Sequence, residues 1–227
     1  RHRETGVRND LPSRILVRAP NWIGDAVMCE PALRGLRALF PGAELTLLAK
    51  PAIAELFIAY PGIDRRLVYD DRGIHAGLSG KWTLAGQLRR HRFDLAVLFQ
   101  NAFEAALITW LAGIRRRYGY VTDGRSFLLT DPVARPDPAA LVHQVHYYWD
   151  LLKPLGVTGS PSVPALAVSE NEIRAMDDPD PRVRFQAALS LSAITNADQL
   201  QLALKAFADG ASRSAKTSRR FAQSLKV

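Results

Sequence analysis

The sequence has very little cysteine and no long hydrophobic run. Cys29 is the only cysteine among 227 residues, so no intramolecular disulfide can form, as is usual in a reducing compartment. The longest nearly uncharged apolar stretch, residues 105–114, is ten residues long, whereas a membrane-spanning helix needs about 20. The first ten residues are charged and lack the apolar centre of a signal peptide. These absences predict a cytoplasmic protein.

Several motifs of nucleotide and nucleophile chemistry are also missing. Neither G-x-G-x-x-G nor G-x-x-x-x-G-K-[ST] occurs, and no serine lies in G-x-S-x-G. His143 and His146 share one helical face without a third ligand nearby, which favours a packed or exposed pair over zinc. Cys29 lies on an apolar helical face, which favours a buried thiol over a nucleophile. We therefore expect no cofactor and no metal.

The composition indicates a soluble globular protein with an excess of basic residues. The chain is 48% hydrophobic and 23% charged, long enough for one domain and part of another. Its net charge of +8 is concentrated in the runs 65–66, 89–92 and 115–117. Such runs suit nucleic acid, an anionic membrane surface or phosphorylated substrates, and they also occur on solvated faces that favour solubility.

Alternating apolar patterns predict an α/β domain over residues 13–157. Strands are expected at 15–17, 44–49, 66–69, 93–99 and 118–121, and helices at 30–40, 53–60, 81–92, 102–112 and 143–155. This alternation is typical of a doubly wound, mainly parallel sheet with helices on both faces.

The chain changes character after this domain. Residues 158–176 contain a Ser-, Pro- and Gly-rich stretch and are expected to be a linker. Residues 177–209 predict a short α-helical pair. Within it, residues 177–191 look like one HEAT-type repeat, with DPRVR at 180–184 and paired alanines at 187–188, and such a repeat needs neighbours to bury its apolar face. From residue 211 there are five basic residues and no acid, so 210–227 are expected to form a flexible tail.

A candidate site lies in the segment 15–33, which is predicted as strand, loop and helix. Ligands of open α/β sheets bind beyond the carboxyl ends of the strands, so the loop from Arg18 to Asp25 lies where a site is expected. Asp25 is the only carboxylate in that loop. It is a candidate for acid–base chemistry, and the alternative is that it only caps the following helix.

The loop and five further segments resemble glycosyltransferase family 9, the inverting heptosyltransferases of the lipopolysaccharide inner core. The resemblance covers residues 13–157, and its pieces occur in the family's order. They are 21–25 (NWIGD), 31–33 (PAL), 93–97 (FDLAV) with 100–103 (QNAF), 112–114 (AGI) with 117–119 (RYG), Arg125 with 128–129 (LL), and the helix 143–155 ending at 156–157 (GV).

The resemblance implies the acceptor-binding N-terminal lobe of a GT-B fold, with the loop aspartate as general base. That role carries over onto Asp25. The predicted substrate contacts are Arg18, Asn21, Trp22, Gly24, Arg72, Asn101 and Arg125. Arginines at the sheet edge suit carboxylates and phosphates, and a surface position is the alternative for each. Asn101 could bind a sugar hydroxyl or serve a turn, and Trp22 could stack on a sugar or pack against the loop.

The implied reaction transfers heptose from ADP-heptose to an anionic acceptor of the lipid A–Kdo type at the inner membrane surface, without a metal. A glycine-containing turn for the ADP diphosphate, expected in a second lobe, is missing, which leaves the activity of this chain alone in question. The alternative is a noncatalytic binding or scaffold protein derived from the acceptor lobe. Nucleic acid is disfavoured because the basic runs lack interleaved aromatic residues.

Overall fold

The computed structural model describes residues 11–137 and 142–166. Of these, residues 11–54, 62–137 and 142–161 form one compact unit, and residues 55–61 and 162–166 belong to a second. The predicted HEAT-like pair 177–209, the tail 210–227 and the end of the predicted linker lie outside the described residues. In the described part of the chain, no helix is long and apolar enough to cross a membrane.

The first unit is built on one sheet of six strands, all parallel, in the order β3-β2-β1-β4-β5-β6. The order reverses between β1 and β4, which is the switch point of a doubly wound fold. The predicted fold class is therefore confirmed. The strands are Arg14–Arg18 (β1), Glu44–Ala49 (β2), Arg65–Val68 (β3), Leu95–Leu98 (β4), Arg116–Tyr120 (β5) and Asp131–Val133 (β6).

Among the residues that the structure describes, five α-helices connect or follow these strands. They are Ile23–Leu39 (α1), Pro51–Leu56 (α2), Gly77–Arg90 (α3), Phe103–Leu111 (α4) and Gln144–Leu152 (α5), with 3₁₀ turns at Ser126–Leu128 and Lys153–Leu155. α1 begins at Ile23, before the Gly24-Asp25 pair that was expected in the loop. α2 ends at Leu56, earlier than predicted, and α3 begins at Gly77, earlier than residue 81.

Different helices pack on the two faces of the sheet. Because side chains alternate along each strand, successive residues contact opposite faces. Leu16, Leu48 and Leu98 share a buried cluster with side chains of α3 and α4. Val17 and Val97 point to the opposite face. There the hydroxyl of Tyr118, the register partner of Val97, donates a hydrogen bond to the Leu151 carbonyl of α5 at 2.6 Å. α5 and α1 pack together on that face.

Candidate functional site

The carboxyl ends of the six parallel strands lie at one edge of the sheet, which we call the carboxyl edge. The loops after β1, β3, β4 and β5 begin there. The predicted site residues lie in these loops, at the end of β1 and at the start of α1. The crevice at the β1–β4 switch point is the usual ligand position in such folds.

Asp25 lies in the first turn of α1 and is half-buried. The residue at the N-cap is Trp22, and no side chain caps the helix, so the interpretation of Asp25 as an N-cap is wrong. Within the described residues, no hydrogen bond or ion pair is made to its carboxylate. The partial positive charge of the helix N-terminus favours a carboxylate here. Asp25 thus places at the carboxyl edge a carboxyl group whose acceptor positions are occupied by no described residue.

Tyr148, a buried residue of α5, lies close enough to Asp25 for the charge of the carboxylate to affect the pKa of the phenol. Burial is the main cause that raises the pKa of Tyr148, and the charges of Cys29 and Asp25 add to it. The side chain of Gln144 hydrogen-bonds to Tyr148, and the Phe99 ring lies edge-on to it at 5.8 Å. The Tyr148 hydroxyl therefore stays protonated. Cys29 is buried, as predicted, and burial raises the pKa of its thiol.

Arg18, a predicted substrate contact, is buried at the end of β1, with 2% of its surface exposed. Its guanidinium donates to the Ala19 carbonyl at 2.7 Å and to Oδ1 of Asn21 at 2.7 Å. It also lies 5.1 Å from the ring centroid of Tyr69, in cation–π geometry. Burial lowers the pKa of Arg18 to about 10, which still leaves it charged at neutral pH. These contacts orient Asn21.

Arg18 belongs to a wider polar network that joins the loops of the carboxyl edge. The Tyr69 hydroxyl donates to the carboxylate of Glu104, which forms an ion pair with Lys81 at 3.1 Å. Burial, followed by the hydrogen bond to Glu104, raises the pKa of Tyr69. The network therefore fixes the start of α4 against α3 and the end of β3.

A second ion pair joins the loops after β2 and β3. Nζ of Lys50 lies 2.8 Å from Oδ2 of Asp71, and the hydrogen bond from Lys50 lowers the pKa of Asp71. Arg72, the next residue, is exposed. Of the three predicted arginines, Arg72 is the one whose side chain is open to solvent.

Asn101 follows β4 and is held by α5. Its Nδ2 donates to the hydroxyl of Tyr147 at 2.9 Å, and its backbone carbonyl accepts from the Thr122 hydroxyl at 2.8 Å. The Tyr147 ring packs against Tyr120, with centroids 4.7 Å apart. The loop after β4 is thereby fixed to the face that carries Asp25.

Arg125, also a predicted substrate contact, is fully buried. Its guanidinium donates to the carbonyls of Tyr120 at 3.1 Å, of Ala102 at 3.2 Å, and of Gln100. Burial lowers its pKa to about 10. Nη2 lies close to Gly119, where a Cβ atom would be 3.2 Å away. Arg125 is a positioning residue because it fixes the backbone on both sides of Asn101.

Trp22 and Gly24 flank the approach to Asp25. Trp22 is 76% exposed, so its indole has a free surface. Gly24 is exposed, and a Cβ atom at this position would meet no atom within 4 Å. The start of α1 is therefore open to a ligand.

The structure thus brings Arg18 and Asn21 into contact. It also joins Asn101 to Tyr147 of α5, the residue next to Tyr148, whose pKa the charge of Asp25 affects. It places Arg72 separately, on the loop after β3. The sequence-based predictions missed the residues that support the site. These are Tyr69, Lys81, Glu104, Gln144, Tyr147 and Tyr148. The tyrosine pair at 147–148, in the first turns of a helix that follows an α/β domain, was the available signal.

Comparisons with known proteins place this geometry in one family. A family model described as glycosyltransferase family 9 (heptosyltransferase) matches residues 81–217. Lipopolysaccharide heptosyltransferase 2 of Escherichia coli (strain K12) is 30% identical over 118 residues, covering 52% of this chain and 34% of that protein. Lipooligosaccharide heptosyltransferase 2 of Haemophilus ducreyi is 26% identical over 118 residues, with the same coverage.

Solved structures agree on the fold. E. coli ADP-heptose lps heptosyltransferase II superposes with a TM-score of 0.61 and 28% identity, over 72% of this chain and 49% of that one. A family 9 glycosyl transferase from Veillonella parvula gives a TM-score of 0.65 at 21% identity, over 73% and 48%. The chain spans about a third of the length of the curated relatives and about half of the solved chains.

Proposed function

Since the chain belongs to glycosyltransferase family 9, we propose that its described sheet unit is the acceptor-binding lobe of a heptosyltransferase of lipopolysaccharide core synthesis. The donor would be ADP-heptose, and the acceptor an anionic glycolipid of the lipid A–Kdo type. The relatives support this, because they are named as lipopolysaccharide or lipooligosaccharide heptosyltransferases. The solved structure of one relative, E. coli heptosyltransferase WaaC, is that of the enzyme with ADP-2-deoxy-2-fluoro heptose.

The observation that carries the proposal is the unpaired, half-buried carboxylate of Asp25 at the carboxyl edge. An acceptor hydroxyl loses its proton to this carboxylate as its oxygen attacks the anomeric carbon of heptose. The bond from that carbon to the ADP oxygen breaks, and ADP leaves with the electron pair. Attack from the opposite side inverts the anomeric configuration.

The neighbouring side chains bind and orient the acceptor in this proposal. Asn21 uses the Nδ2 group that its contact with Arg18 leaves free. Trp22 offers an exposed aromatic face to a sugar ring, and Arg72 offers an exposed guanidinium to a carboxylate or phosphate. Arg18 and Arg125 act through the loops that they fix, rather than by touching the acceptor.

We further propose a cytoplasmic location at the inner membrane surface, with no role for nucleic acid. The basic runs of the sequence and the lipid-linked acceptor support this location. We retain the proposal of a HEAT-like helical pair at 177–209, which the family match overlaps. We assign donor binding to a second lobe, which the longer chains of the relatives are long enough to form.

The first test is acceptor binding by this chain. A lipid A–Kdo₂ glycolipid in detergent micelles should bind saturably, and Arg72→Gln should weaken the binding about tenfold because it removes a charge-assisted contact. Asp25→Asn should leave the affinity within about threefold, since the base acts on the reacting hydroxyl. Absence of saturable binding would contradict the assignment of the lobe.

The second test concerns turnover. Residues 1–166 are joined to the C-terminal half of the E. coli relative, and heptose transfer from ADP-heptose is followed by mass spectrometry. Asp25→Asn should lower the rate by about 10²-fold or more. The matched control is Glu55→Gln, which removes one exposed carboxylate of α2 that forms no ion pair with a described residue. Equal rates for the Asp25 variant and the unmodified fusion would remove the role given to Asp25.

A further inference from the structure

A cleft of about 330 Å³ lies at the amino edge of the sheet, opposite the carboxyl edge. It is formed where α3 ends, where β4 begins, and where α4 turns into β5. Leu88, Phe93 and Ile114 supply apolar walls, and all three are buried. The volume is at the lower end of the range of ligand sites, about 300–1,000 Å³. We call it the arginine cleft, because Arg89, Arg92 and Arg115 line it.

Of the three guanidinium groups of the cleft, one is held by a hydrogen bond within the protein and two are available to a ligand. Arg89 donates through Nη2 to the Leu111 carbonyl of α4 at 2.5 Å, so its side chain is fixed across two helices with other donors free. Arg92 and Arg115 are exposed, and their side chains make no hydrogen bond or ion pair with any residue that the structure describes.

One carboxylate, that of Asp94, also lines the cleft, and one of its two oxygens is held by hydrogen bonds from the start of β1. Oδ2 of Asp94 accepts three hydrogen bonds, from the backbone N–H groups of Ser13 and Arg14 and from the Ser13 hydroxyl, at 2.8–2.9 Å. No ion pair joins Asp94 to Arg89, Arg92 or Arg115, and three guanidinium groups against one carboxylate give the cleft an excess of positive charge.

The backbone at Arg92 points to a role for this side chain. Its φ of +53° lies in the left-handed region, where the residue just after a helix is usually glycine. An arginine at this position adopts a less favourable conformation and gains no described contact through its side chain. Such an outlier at the lip of a cleft is typical of a functional position.

We propose that the arginine cleft binds a phosphate group, carried by a phosphorylated small molecule or by the headgroup of an anionic phospholipid. Guanidinium groups bind phosphate oxygens in pairs of parallel hydrogen bonds, and the apolar walls accommodate the carbon portion next to the phosphate. The cleft lies at the sheet edge opposite Asp25, so this site is separate from the acceptor site and does not depend on the proposed transfer reaction.

The experiment uses the full chain and two probes at low ionic strength. Pyrophosphate binding is measured by titration calorimetry, and vesicle binding is measured by flotation with phosphatidylglycerol or with phosphatidylcholine alone. The cleft variant carries Arg92→Gly and Arg115→Gln. The control variant carries Arg90→Gln and Arg135→Gln, two exposed arginines that do not line the cleft. Both variants lose two positive charges.

The cleft variant should bind pyrophosphate or phosphatidylglycerol vesicles at least about tenfold more weakly, and the control variant should stay within about threefold of the unmodified chain. If the cleft variant loses pyrophosphate binding, the ligand is a phosphorylated small molecule. If it loses binding only to phosphatidylglycerol vesicles, the ligand is a lipid headgroup. Arg92→Gly relieves the left-handed strain, so thermal unfolding should show an unchanged or higher Tm and exclude misfolding as the cause. Equal weakening in both variants, or no binding of either probe by the unmodified chain, would overturn the proposal.

Discussion

Gly35 of α1 and Trp149 of α5 contact each other so closely that a Cβ atom on Gly35 would lie 2.9 Å from Cζ3 of the indole. The indole cannot move away freely, because its Nε1 donates to the Gly159 carbonyl at 3.1 Å. This contact holds α1, whose first turn carries Asp25, against α5, which carries Tyr148. The geometry of the candidate site therefore depends on a glycine about ten residues from it.

Gly35→Ala should destabilise the protein by about 1–2 kcal/mol, because overpacking outweighs the better helix propensity of alanine. Gly86→Ala is the matched control, since Gly86 lies in α3 and a Cβ atom there would meet no atom within 4 Å. The control should be stabilised by about 0.5–1 kcal/mol. Urea denaturation followed by tryptophan fluorescence measures both changes. Equal stabilisation by the two substitutions would show that α1 and α5 separate easily.

Long apolar runs made much of the fold predictable. β2 was predicted with its observed bounds, and β1 and β4 lie in buried runs that the sequence marks clearly. β6 was missed because three residues containing Pro132 at a sheet edge carry almost no strand signal. The start of α1 was placed too late because its first turn is polar and contains Gly24, a weak helix former.

The candidate site was only partly predictable, because residue type does not say where a side chain points. Asp25 and Asn101 were predicted from their positions after strands, and their roles toward a substrate stay predictions. Arg18 and Arg125 were expected to meet substrate, but both are buried and donate to backbone carbonyls. A sequence shows that an arginine is charged, but it does not show which carbonyl groups its guanidinium will contact after folding.

Arg125→Met should destabilise the protein by about 2 kcal/mol or more, because three carbonyl oxygens each lose a hydrogen bond from the guanidinium group. Arg125→Lys should lose nearly as much, since an ammonium group keeps the charge but cannot reach all three oxygens with a planar fork. Arg135→Gln, at an exposed position, should stay within about 0.5 kcal/mol. Chemical denaturation measures these differences, and an unchanged Arg125→Met variant would refute the positioning role.

Asp94 should give the stability of the protein an acid-sensitive component. Burial alone would raise the pKa of Asp94, but the hydrogen bonds from Ser13 and Arg14 lower it below the ordinary 3.8. A carboxyl with a lowered folded-state pKa stabilises the fold above its unfolded-state pKa and loses that contribution as the pH falls through the folded value. Its stabilising effect should therefore be complete near pH 6 and be lost progressively below about pH 4.

The measurement is a double-mutant cycle of Ser13→Ala and Asp94→Asn in urea at about pH 6 and about pH 2.5. The coupling between the two side chains should be about 1 kcal/mol at the higher pH, a modest value because both are exposed, and clearly smaller at the lower pH. A coupling that is the same at both pH values would contradict the assignment of the charged acceptor.

Gly24→Ala separates the stability of α1 from access to Asp25. A methyl group at Gly24 meets no atom of the protein, so the substitution should stabilise the helix by up to about 1 kcal/mol. The same methyl group enters the open space next to Asp25, where the acceptor is proposed to bind. Binding of the lipid A–Kdo₂ glycolipid should therefore weaken by about tenfold or more for Gly24→Ala and stay unchanged for Gly86→Ala, the glycine of α3 with equally free surroundings. If both variants bind the glycolipid as tightly as the unmodified chain, the acceptor does not approach Asp25 over the first turn of α1.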